Sequence, residues 1–137
     1  MAVVEELLRS EADGTSSFGN HKLEKKAKVQ DYQHAGDLLK VKTCREITKL
    51  EKNGMFLYES VPGTSVLNFA EKEDGVEFIV EGDEDAQITI GLTDDRAYEV
   101  FVDGRSIGAI KTGFGGKLSL SVEIGAADEV PVKVVQI

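Results

Sequence analysis

The sequence has no tryptophan, one cysteine, two prolines and two methionines in 137 residues. The single thiol, Cys44, excludes an intramolecular disulfide framework and fits a reducing compartment. No apolar run approaches the roughly 20 residues that cross a bilayer as a helix. No basic lead, apolar stretch and small-residue cleavage site stand together near the start, so a cytoplasmic location is expected. Positive charge is scarce: 16 Lys and Arg face 25 Asp and Glu, a formal charge of -9. The whole deficit falls on residues 62–137, and an acidic surface repels phosphate backbones. Neither nucleic acid nor a membrane is expected as a partner. Residues 22–52 run the other way, with nine basic and five acidic side chains. That asymmetry suits an acidic partner or a second copy of the chain.

Several chemistries are missing as well. Gly113-Phe114-Gly115-Gly116-Lys117-Leu118 has the look of a phosphate loop. Lys111 stands where its first glycine belongs, and Leu118 where its Ser or Thr belongs. His21 and His34 are far apart, lie beside turns and read as solvated loop residues. No Gly-x-Ser-x-Gly elbow occurs, and Cys44 has no nucleophile signature around it. Asp83-Glu84-Asp85 and Asp94-Asp95 lack the alternating spacing of a calcium loop. In a meander they fall at opposite ends of one strand. No catalytic residue, metal ligand or cofactor motif is assigned, so the expected cofactors are none.

What is present is turn chemistry and alternation. Asp13-Gly14, Asn53-Gly54, Asp74-Gly75 and Asp103-Gly104 are hairpin dipeptides. Pro62-Gly63, Gly36-Asp37 and Gly115-Gly116 add breaks. Between them apolar and polar residues alternate, as in Val76, Phe78 and Val80 against Glu77 and Glu81. That period of two marks half-buried antiparallel strands. Thirteen segments qualify, near 3–9, 15–18, 22–30, 38–44, 46–51, 55–61, 65–71, 76–81, 86–92, 97–102, 106–111, 117–124 and 131–136. Some should merge, leaving about ten. Residues 3–9 also fit a helical spacing through Val3, Val4, Leu7 and Leu8 and stay open between strand and helix. The expected fold is all-β: a single antiparallel sandwich, jelly-roll-like, over residues 1–137. Its expected core is Val76, Phe78, Val80, Ile88, Ile90, Tyr98, Val100, Leu118, Leu120 and Val122.

Two sets of residues are candidate contacts. Tyr32 reads as an exposed loop aromatic with His34 beside it, a candidate ligand contact. Phe114 sits among three glycines at a hairpin tip; it either folds back over the sandwich end or meets a partner. The last segment is apolar on both faces through Val132, Val134, Val135 and Ile137. A terminal strand commonly supplies an edge, so these residues are expected at a subunit contact, with Phe114 as a second anchor. A homo-oligomer follows, most simply a dimer.

Two resemblances extend this reading. Tyr98–Gly108, continued by Gly116–Val122, resembles the accessory β-sandwich segment behind many polysaccharide lyases, which implies a non-catalytic role. Through runs such as Glu46–Phe56 and Tyr58–Thr64, the whole chain resembles a family of short bacterial proteins, some labelled "endosialidase". That label implies a glycan-active enzyme. No motif carries a catalytic residue over: Arg9, Arg45, Arg96 and Arg105 lie on separate segments. The expected function is a non-catalytic, self-associating interaction or structural module with a protein or glycan partner. The alternatives are a carbohydrate-binding module and a glycan-active enzyme.

Overall fold

The computed structural model describes residues 3–125 and 129–137, and these form thirteen strands. In chain order they are β1 (Leu8–Ser10), β2 (Ser16–Phe18), β3 (Ala27–His34), β4 (Asp37–Thr43), β5 (Thr48–Lys52), β6 (Met55–Val61) and β7 (Ser65–Lys72). There follow β8 (Gly75–Glu81), β9 (Ala86–Gly91), β10 (Ala97–Val102), β11 (Arg105–Lys111), β12 (Lys117–Val122) and β13 (Val130–Gln136). Among the described residues no helix is long and apolar enough to cross a membrane. Twelve of the thirteen expected segments each hold a strand, only the last two residues of 3–9 reach one, and none merges, because the chain reverses or changes sheet between each pair. Ala35-Gly36, Asn53-Gly54 and Asp103-Gly104 each place two successive residues at positive φ. That is the turn geometry whose twist matches a two-residue hairpin.

All pairing is antiparallel. One sheet has the order β1-β2-β7-β8-β13-β10-β11, the other β12-β9-β6-β5-β4-β3. Strands β3 to β6 are a simple meander. The C-terminal half is wound differently: β10 pairs with β11, β9 with β12 and β8 with β13. These nested pairs are one long ribbon folded back and forth between the sheets, which is jelly-roll winding. The chain is therefore an all-β antiparallel sandwich.

The two inner faces meet in one core, and all ten expected core residues are buried in it. Phe18, Phe69 and Phe78 of one sheet surround Tyr58 of the other. Ring centroids lie 5.2 Å apart for Phe18–Tyr58 and 5.6 Å for Tyr58–Phe78, both edge to face. That is the favoured aromatic arrangement.

Local irregularities account for the departures from simple alternation. Residues 3–9 are neither one strand nor a helix. Leu7 donates its N–H to Val4 O at 2.9 Å and has φ 70°, closing a turn before β1. The third strand begins later than expected and runs through Tyr32 and His34, with Asp31 at φ 58° in a bulge. In β6 a bulge at Leu57 turns Leu57 and Tyr58 both inward and leaves Phe56 half-buried. The largest correction concerns β13. It is not an edge but lies between β8 and β10. Val132 and Val134 are buried in the core of their own chain. Gly75 makes this possible: a Cβ there would lie 1.8 Å from Val134 O.

Phe78 and Leu120 are 2% and 4% exposed, one in each sheet. Truncating either to Ala should cost about 2–5 kcal/mol, read from urea unfolding midpoints. A cost below about 1 kcal/mol at both would contradict this core.

Candidate functional site

Three crossovers between the sheets and one hairpin loop gather at the same end of the sandwich. They are the connections β2–β3, β6–β7, β8–β9 and β4–β5. Backbone hydrogen bonds tie them together. Arg45 N donates to Leu23 O at 2.8 Å, and Gly63 N to Arg45 O at 2.9 Å. Gly63 lies flat against the chain at Cys44, where a Cβ would come within 1.8 Å of Cys44 O. The Val61–Pro62 peptide beside it is cis. Between these connections opens a cleft of about 700 Å³, lined by His21, Arg45, Glu46, Val61, Pro62, Gly63, Asp83 and Glu84.

Beneath the cleft the core turns polar. Tyr58 Oη is 2.8 Å from Thr64 Oγ1, and Ser60 Oγ is 2.7 Å from the same atom. Thr48 Oγ1 donates to Thr64 O at 2.7 Å and accepts from Thr64 N at 3.1 Å. Thr43 Oγ1 lies 2.8 Å from Thr48 Oγ1 and accepts from Asn20 N at 2.9 Å. Burial pushes the Tyr58 phenol far above its ordinary value, so it stays neutral as a hydrogen-bonding group.

His21 is the exception to this complete pairing. Its ring is buried, with Nδ1 2.7 Å from Ser65 Oγ. Nε2 is the one buried side-chain nitrogen or oxygen without a hydrogen-bond partner among the described residues. Asp83 Oδ1 stands 3.7 Å away, beyond hydrogen-bond reach, and accepts instead from Lys22 Nζ at 2.5 Å. That Lys22 hydrogen bond holds the Asp83 carboxyl below its usual range. Burial pushes the imidazole below its ordinary value of 6.5, although Asp83 pulls it back up. An unmade buried hydrogen bond costs about 1–3 kcal/mol, so an orphan of this kind needs a reason.

Compared with known proteins, the chain matches no family profile, no curated protein and no solved structure. The resemblance to the endosialidase-labelled family therefore rests on its sequence runs alone. Among the described residues no three His, Cys, Asp or Glu side chains stand close enough to hold a metal ion.

The residues singled out from sequence go elsewhere. Tyr32 is half-buried in β3, not on a loop, and its Oη accepts from Ser10 N at 3.0 Å. His34 Nδ1 lies 2.7 Å from Ser10 Oγ, and Nε2 lies 3.1 Å from Gly14 O. These two side chains join β1 of one sheet to β3 of the other. Phe114 does not fold back; it is 101% exposed on the turn Gly113–Gly116 at the end opposite the cleft. Val135 is half-buried and Ile137 is 72% exposed at that same end. Asp94 and Asp95 lie there too, away from Asp83 and Glu84, as the meander argument expects. His21 is the clear misreading: it lies beside a turn but inside the protein. Nothing in local spacing links positions 21, 45, 62 and 83. Only the crossovers bring them together.

The lowered His21 value sets a pH dependence. Unfolded chain binds the proton more readily, so stability is complete above pH 6.5 and falls as pH drops through it. Urea unfolding between about pH 8 and pH 5 should show this slope, and His21→Gln should flatten it. Identical slopes in the two proteins would show that His21 is not held neutral by burial.

Proposed function

We propose that the protein is a non-catalytic interaction module and that its occupant at the Phe114 end is a second copy of the chain. The supporting observation is the end opposite the cleft. Leu38, Met55, Phe114 and Ile137, all exposed large apolar side chains, stand at strand ends on that side. The Phe114 turn is held firmly. Buried Thr112 donates its hydroxyl to Thr93 O at 2.6 Å and accepts from Arg96 N at 3.0 Å. Gly116 takes the close approach of this turn to the β9–β10 loop, where a Cβ would meet Leu92 O at 2.1 Å. A rigid turn that carries a bare phenyl ring loses little entropy when a partner covers it.

Charge favours a second copy as that partner. Both signs of charge stand at that end: Lys40 and Lys52 beside Asp37 and Glu51 on β4 and β5, and Arg96 and Lys111 beside Asp94 and Asp95 at the β9–β10 loop. A twofold axis through the end sets the cations of one protomer against carboxylates of its partner. Val132 and Val134 take no part, being interior; Phe114 and Ile137 carry the contact.

Sedimentation velocity tests this reading. Wild type should dimerise, more weakly at high salt. Phe114→Ser combined with Met55→Ser should weaken the dimer by about tenfold or more without lowering the unfolding midpoint. A wild-type protein that remains monomeric at about 100 μM overturns the proposal.

A further inference from the structure

We propose that the cleft at the crossover end binds a neutral polyhydroxylated ligand of the pyranose class, seated by one hydroxyl between His21 and Asp83. This site lies at the opposite end from the self-association surface and does not depend on it.

The hydrogen-bond arithmetic selects the ligand group. Ser65 Oγ accepts from His21 N at 3.4 Å and lies 2.7 Å from Nδ1, so its hydroxyl hydrogen is free to donate to that nitrogen. The Asp83 carboxylate 3.7 Å from Nε2 favours the tautomer with the ring hydrogen there, and Ser65 then donates to Nδ1. That N–H is buried and unpartnered, on a residue that lines the cleft, with Asp83 Oδ1 3.7 Å distant. At 3.7 Å the pair leaves no room for an atom in line, so a ligand group enters as the half-exposed Asp83 side chain swings outward; that group must then accept from Nε2–H and donate to a carboxylate. A hydroxyl does both. An ammonium group cannot accept, and a carboxylate or phosphate cannot donate.

Water satisfies the same rule, but the cleft of about 700 Å³ is far larger than one water and falls in the range of small-molecule sites. Its remaining lining continues the pattern. Arg45 supplies donors, and Glu46 and Glu84 supply acceptors for further hydroxyls. Pro62 and half-exposed Val61 offer an apolar patch to the C–H face of a ring. Three carboxylates, at positions 46, 83 and 84, outnumber Arg45 and the Lys22 ammonium held by Asp83, so a neutral sugar is favoured over an acidic one.

The test is a nitrogen-15 NMR titration of the full chain, reading the His21 imidazole and the backbone amides. The probes are methyl α-D-glucopyranoside, methyl β-D-galactopyranoside and cellobiose. N-acetylneuraminic acid is the anionic arm. At least one neutral probe should move the Nε2–H signal together with the amides of Arg45, Gly63 and Glu84. Arg45→Ala and Glu84→Gln, both on exposed loops, should each weaken that binding several-fold while the rest of the spectrum stays native. No movement at His21 with any neutral probe up to tens of millimolar overturns the proposal. So does a long-lived water at Nε2–H that sugars leave in place, or tighter binding of N-acetylneuraminic acid.

Discussion

The seven-stranded sheet depends on its last strand. β13 is paired along both sides, to β8 through Val130–Val135 and to β10 through Val132–Gln136. Without it the sheet divides into β1-β2-β7-β8 and β10-β11, each with an unprotected edge. The ribbon that carries β8 to β13 has to close before those edges are covered. Pairing Val76 with Val134 joins residues far apart in sequence, so the closure comes at a high entropic cost. The buried valines of β13 offset that cost by completing the core from inside the sheet.

Tyr58 links the two halves of the interior. Its ring sits among Phe18, Phe69 and Phe78, and its hydroxyl reaches Thr64 in the polar layer. That layer is threonine and serine, whose hydroxyls act as donor and acceptor together and so close a network with no orphan among them. Thr64 lies in the β6–β7 crossover, so the same network fixes the floor of the cleft. Against that paired background the open Nε2 of His21 stands out.

The two ends of the sandwich thus differ in kind. The crossover end is polar, concave and held by buried hydrogen bonds. The opposite end carries Phe114 and other exposed apolar side chains beside surface ion pairs such as Lys111–Asp95, 3.2 Å apart. Pairs this exposed add little to stability, and their charges act chiefly on association. A module with one contact end and one binding end is coherent with both proposals, since occupation of one leaves the other free.

The strand pattern was legible because it is local. Alternation such as Leu118, Leu120 and Val122 against Ser119 and Ser121 needs no tertiary information to name the inward face, and X-Gly dipeptides mark reversals through backbone conformation alone. Fold class, most strand positions and the ten-residue core follow from that. Tertiary structure decided what local pattern cannot encode. Apolar Val132, Val134 and Val135 fit an interior strand as well as a covered edge; the pairing partners β8 and β10 settle it. Bulges at Asp31 and Leu57 shift parity by one residue, which alternation does not register. His21 reads as a turn residue because burial comes from distant crossovers, not from its neighbours. The cleft draws on four connections, so its residues share no spacing, and only the path of the chain between two sheets places them together.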